Sequence, residues 1–387
     1  MLALRLMRGA RPLAQLPRLL VVAAAAGVGF LLLCALSYAV AHPGVSGAAL
    51  PRLLWCLVPL AATVQLAVIV ARTDPGPRTR AALEVVGLGS AGLPVLAAVQ
   101  AAVCTLLGSA LALLVYLHLR GDVPGVPSAG AGELVAAGRP VPVAAALTLL
   151  LVVPMVTAAA CALALHRTAG HRSARPQPVA LDRAGPPPPV PASLSYGTAL
   201  VGLGIALETY AARVDGTPVP LPGAGAGPGP GVVAGWLLTA VGLVLAGPGL
   251  TQLAGRLLAA FRPGAVRLLA GRVLQEEAPC LGPPLGVLCA TACGVIAAVH
   301  LYGPGRPFGP LTVLGVAVVL ACAVTGVLTA LAAARGMLAP ARAALAQLGA
   351  TRELMRRAAV LRAGAVLALL APVTWGVAVL AALPLGR

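Results

Sequence analysis

The chain has 387 residues, 59% hydrophobic and only 10% charged, with a mean hydropathy of +0.97. So little charge cannot cover a soluble protein of this length. The net charge of +17 rests on 27 Arg and no Lys; the Arg residues sort between apolar runs, which favours a membrane-sidedness pattern over nucleic-acid binding.

In chain order, Arg5, Arg8, Arg11 and Arg18 precede a first apolar run at about 19–41. Its basic start and the AVA before His42 imitate a signal peptide, but its length and the many runs that follow favour an uncleaved helix. Further runs lie near 53–71, 93–118, 142–165, 194–212, 231–250, 282–302, 310–334 and 363–383. Each is near the roughly 20 residues that cross a bilayer core. Alternating these nine segments from a cytoplasmic N-terminus places 21 Arg inside and 6 outside. That bias predicts a multi-pass protein of the cell membrane with its N-terminus in the cytoplasm.

The outer connections, GDVPGVPSAGAGELVAAGRP and DGTPVPLPGAGAGPGPG, are too rich in Gly and Pro to bury a core, so no outer domain is expected. The inner stretch 166–193 reads as a Pro-rich linker. The resulting plan has a first half at 1–165 with about four segments, the linker, a bridging pair at 194–250 and a second half at 251–387 with about three.

Arg80-Ala-Ala-Leu and Arg342-Ala-Ala-Leu match at an offset of 262, and the same offset pairs RLMRGA at Arg5 with RLLAGR at Arg267. Matching topological places make this an internal duplication, a common way to build a transporter. The predicted fold is an all-α polytopic membrane protein. It has about nine transmembrane helices, or ten if the second half matches the first. Its two halves are repeat-related and carry short cytoplasmic coupling helices.

Without Lys, a Walker A phosphate loop cannot be built in its usual form. No catalytic, cofactor-binding or metal-ligating spacing is found, and no enzymatic activity is expected. The eight Cys fall mostly in apolar runs and read as small buried hydrophobes. Asp74, Glu84, Asp122, Glu133, Asp182, Asp215, Glu276, Glu277 and Glu353 fall in expected loops or at segment ends. Glu208 is the one acid that could lie inside a segment, near its outer end, with an interfacial place close to Arg213 as the alternative. This distribution argues against an ion-coupled carrier, which buries ionisable residues in the membrane. Gly108 and Gly376 are candidates for close helix packing, and Pro94, Pro154 and Pro372 for kinks.

The most distinctive stretch is RAALAQLGATRELMRRA, Arg342 to Ala358. Pro340 can start a helix there. Leu345, Leu348 and Met355 fall on one face, and Glu353 and Arg357 form an i,i+4 pair in the favoured order. An apolar stripe edged by Arg suits a groove on a partner protein or an anionic lipid surface.

This stretch and its flanks resemble the FtsX/MacB-like permeases of ABC transporters. Arg342, Leu345, Leu348, Gly349, Ala350, Thr351, Arg352 and Leu354 match that family's coupling-helix pattern. Arg80, Leu83 and Gly87 form a weaker first copy, which lacks the basic residues after the glycine. The resemblance implies a permease subunit that couples hydrolysis by a separate ATPase subunit, a dimer on the cytoplasmic side, to transport or to mechanical signalling. An outer protein is a further expected partner, membrane lipids are the other surface that the Arg-edged stripe suits, and the sorting of Arg leaves no nucleic acid as partner. The eroded first copy suits an alternative, a degenerate permease acting as membrane scaffold or sensor.

Overall fold

The computed structural model describes residues 12–41, 46–73, 92–120, 142–173, 192–214, 229–260, 264–301, 309–339 and 351–382, with 343, 344 and 347 between the last two. These residues form nine helices and no strand. They are α1 (Pro12–Ala41), α2 (Ser46–Thr73), α3 (Gly92–Arg120), α4 (Val143–Ser173), α5 (Ala192–Ala211), α6 (Pro230–Ala260), α7 (Ala265–Leu301), α8 (Pro310–Met337) and α9 (Arg352–Ala382). Ala and Leu dominate them, so helix propensity and apolar burial act together. All except α5 are long and apolar enough to span a bilayer. The chain is an all-α polytopic membrane protein.

Two compact units divide the chain: Met1–Arg183 with Gly309–Gly326, and Ala184–Phe308 with Val327–Arg387. In the first, Val21 of α1, Ala71 of α2, Ala101 of α3 and Cys161 of α4 belong to one buried cluster. Leu33 of α1, Tyr116 of α3 and Ala146 of α4 form another, further along the same helices. The helices are therefore antiparallel in sequence order. Arg18 and Arg72 fall at one end of the unit and Arg120 at the other. Arg52 joins the second end, its guanidinium 3.3 Å from the centroid of the Tyr38 ring, a cation–π arrangement.

Small and hydroxyl side chains set the packing of this unit. A Cβ at Gly108 would lie 2.7 Å from Ala25 Cβ, so α3 needs glycine there to approach α1. Thr105 and Thr157 hydroxyls pair at 3.1 Å, and Ser109 Oγ donates to Leu150 O at 3.2 Å, joining α3 to α4. Interhelical hydrogen bonds of this kind contribute about 0.6 kcal/mol each in membranes.

In the second unit, α5 and α6 form an antiparallel pair with a regular seam. Leu194 faces Gly249, Gly197 faces Ala246, Val201 faces Gly242, Gly204 faces Thr239 and Glu208 faces Gly235. The levels recur every three or four residues, and each sets a glycine against a larger side chain. The seam runs the length of α5, so this helix lies at the membrane depth of α6. Its 20 residues rise about 30 Å, the thickness of the hydrocarbon core.

Gly247 of α6 also packs on Gly282 and Gly286 of α7. These close contacts hold α7 as one helix of 37 residues through Pro279, Pro283 and Pro284. The sequence expectation of an apolar segment beginning near 282 is corrected: the helix starts at Ala265 and includes the basic stretch around Arg267. At ~1.5 Å per residue it is about 55 Å long, well beyond the ~30 Å core. Gly376 is also corrected as a packing glycine, because nothing lies within 4 Å of a Cβ built there. Pro154 and Pro372 lie inside α4 and α9. Pro94 is in the first turn of α3, where its missing N–H has no helical partner to lose.

The 262-residue offset reappears in the helix bounds. Adding it to the bounds of α2 and α3 lands within two residues of those of α8 and α9, and adding it to the end of α1 lands within two of the end of α7. Pairing follows as well. Gly29 of α1 packs on Ala112 of α3. Two residues from the equivalent place in α7, Cys293 Sγ donates to Thr374 O of α9 at 3.3 Å.

Candidate functional site: the charged end of α6, α7 and α9

Leu258 of α6, Ala270 of α7 and Ala358 of α9 share a small buried cluster, flanked by Val266, Leu361 and Ala365. It brings the end of α6 and the starts of α7 and α9 together. Arg256, Arg267, Arg272, Arg352, Arg356, Arg357 and Arg362 therefore gather at one end of this unit, while Arg213, just past α5, lies at the other.

The residues of the expected coupling helix divide. Thr351 precedes α9 and caps it: the Leu354 N–H donates to Thr351 Oγ1 at 3.3 Å, satisfying one of the donors that a helix start leaves open. Arg352 is exposed in the first turn and Leu354 is half-buried. The stretch from Arg352 onward is the beginning of a 31-residue helix that continues to Ala382. Ala343, Ala344 and Gln347 are helical and exposed. Arg342, Leu345, Leu348, Gly349 and Ala350 lie outside the described residues, as do Arg80, Leu83 and Gly87 of the first copy. Glu353 and Arg357 form the i,i+4 ion pair. Both side chains are exposed, so it contributes only a few tenths of a kcal/mol.

A second ion pair was not legible in the sequence. Arg362 Nη1 donates to Glu277 Oε1 at 2.8 Å, joining α9 to α7. The two side chains are 14% and 10% exposed. This corrects the placing of Glu277 at a segment end: it lies well inside α7, with Gln275 and Ala278 also buried. Removing one member of such a pair leaves an uncompensated buried charge, at a cost of about 3–5 kcal/mol. For Glu208 the inside position is the one found, and the interfacial place beside Arg213 is not. Its side chain is buried in the α5–α6 seam with Trp236 on one oxygen, while Arg213 is exposed.

The described cysteines are buried or half-buried thiols without disulfides. Among the described residues no three His, Cys, Asp or Glu gather as metal ligands. The charged end therefore offers a surface with an exposed row of cations, held to α7 by a buried ion pair. The first unit has an open apolar groove of about 240 Å³ bordered by Leu20, Ala24, Leu66, Val318 and Cys322, a lining suited to alkyl chains. Comparisons with protein families, with curated proteins and with solved structures gave no match.

Proposed function

We propose that the chain is the membrane subunit of an ATP-driven system of the ABC type in a bacterial cell membrane. A separate ATPase acts on the charged end of α6, α7 and α9, which faces the cytoplasm. The observation that carries this reading is the Arg362–Glu277 bond. It ties α9 to α7 eleven residues along α9, beyond the exposed Arg352, Arg356 and Arg357. A displacement of the first turns of α9 is then passed to α7 as well, instead of being lost in bending α9. The extension of α7 beyond the bilayer core supports the same reading, because it supplies a lever outside the membrane. The cargo class that suits the apolar groove is lipid or lipophilic. The cationic row on α9 also suits anionic headgroups, so the test must separate a protein from a membrane surface.

Cysteine placed at Thr351, carrying a short photo-crosslinker in native membranes, tests the reading. The expected product is an adduct with a nucleotide-binding subunit. Adducts to lipid alone would replace this reading with that of a membrane scaffold.

A further inference from the structure

Glu208 is the one acid among the described residues with no exposed surface. It occupies a seam position on α5, received by Gly235 of α6: a Cβ on that glycine would lie 2.8 Å from Glu208 Cβ. The seam thus leaves space for this side chain and none for a larger residue opposite it. Trp236 Nε1 donates to Glu208 Oε1 at 2.6 Å. Glu208 Oε2 is buried and has no hydrogen-bond partner among the described residues. Thr239 Oγ1, one turn along α6 from Trp236, is a second buried oxygen without a partner. It faces Gly204, one turn before Glu208 on α5.

Among the described residues no cation balances this carboxyl. On α5 itself the other titratable side chains are Tyr196 and Tyr210, both exposed. Arg213, beyond the helix, is exposed. On α6 the single ionisable residue is Arg256, at the far end of the helix from Trp236. The part of α9 that packs near α5, Val366 to Ala378, has none. Glu277 has its own Arg, whereas Glu208 has an indole and an empty oxygen. An ionised carboxylate in such a place has no solvation equal to the water it left.

We propose that Glu208 is a proton-binding site inside the helix bundle. A proton from water adds to Oε2, forming an O–H bond and neutralising the carboxylate, while Trp236 holds Oε1. Release returns the proton to water. The route is short: Glu208 is three residues from the end of α5, about 5 Å of helix rise. Thr239 Oγ1 supplies an acceptor on the same seam. The site is independent of the ATPase reading, which concerns the other end of the unit.

The test is infrared spectroscopy of the full chain in lipid nanodiscs. Near neutral pH the wild type is expected to show a protonated-carboxyl C=O band that E208Q lacks. W236F is expected to keep the band and raise its frequency, because the carbonyl oxygen loses the indole donor. Raising the pH is expected to remove the band reversibly. Absence of the band in the wild type, or its survival in E208Q, overturns the proposal. A band that belongs to Glu208 but does not respond to pH also overturns it, since the acid would then be a fixed structural group.

Discussion

Arg362 of α9 reaches Glu277 of α7 across 85 residues of sequence and closes a 2.8 Å charge-assisted hydrogen bond in a largely buried setting. Glu277→Ala is expected to lower stability by about 3–5 kcal/mol, because it leaves Arg362 buried without its counter-charge. Replacing both residues by Met is expected to recover much of that loss. Thermal unfolding in detergent, read for the two variants beside the wild type, checks both statements. Equal losses for both would show that side-chain volume matters here and charge does not.

The glycines give a sharper contrast. Gly235→Val must fit a Cβ and its two methyl groups into space held by Glu208 and the Gly204 carbonyl. A loss of about 1–3 kcal/mol is expected from overpacking. Gly376→Ala meets nothing within 4 Å and removes backbone freedom from the unfolded chain. It is expected to be neutral or stabilising by about 0.5–1 kcal/mol. Thermostability of the two single variants measures the difference.

The packing of the second unit sets Arg213 and Arg356 at opposite ends, and the Arg bias of the sequence predicts that the Arg356 end is the cytoplasmic one. Cysteine at position 213 is expected to react with an impermeant maleimide on intact cells, and cysteine at 356 only after permeabilisation. Labelling of both from one side would contradict the antiparallel α5–α6 arrangement together with the direction of α9.

Much of the architecture was legible because it is written in local composition. Apolar runs located all nine described helices, eight of them long and apolar enough to span, and the sorting of Arg between them matches the ends at which Arg18, Arg72 and Arg120 fall. The start of α7 was hidden because the charged stretch from Arg267 to Glu277 interrupts the apolar pattern, while the helix runs on through it. Gly282 and Gly286 let the proline-bearing part of that helix pack closely on α6. The Arg362–Glu277 pair was hidden for another reason: no local pattern reports a partner so far along the chain. The α5–α6 seam did leave a trace, since Gly235, Gly242 and Gly249 recur every seven residues. Gly376 failed as a packing glycine because composition alone supplies glycines in a chain that holds 46 of them.

The most direct measurement is co-purification of the tagged full chain from native membranes, with ATP hydrolysis assayed in the eluate and the bound proteins identified. The wild type is expected to bring down an ATPase subunit with measurable hydrolysis. Arg352→Glu with Arg356→Glu, two exposed changes that leave the buried Arg362–Glu277 bond in place, is expected to lose at least tenfold of both. An eluate without an ATPase, or one whose ATPase is unaffected by the double charge reversal, would contradict the assignment of this end of the helices as the coupling surface.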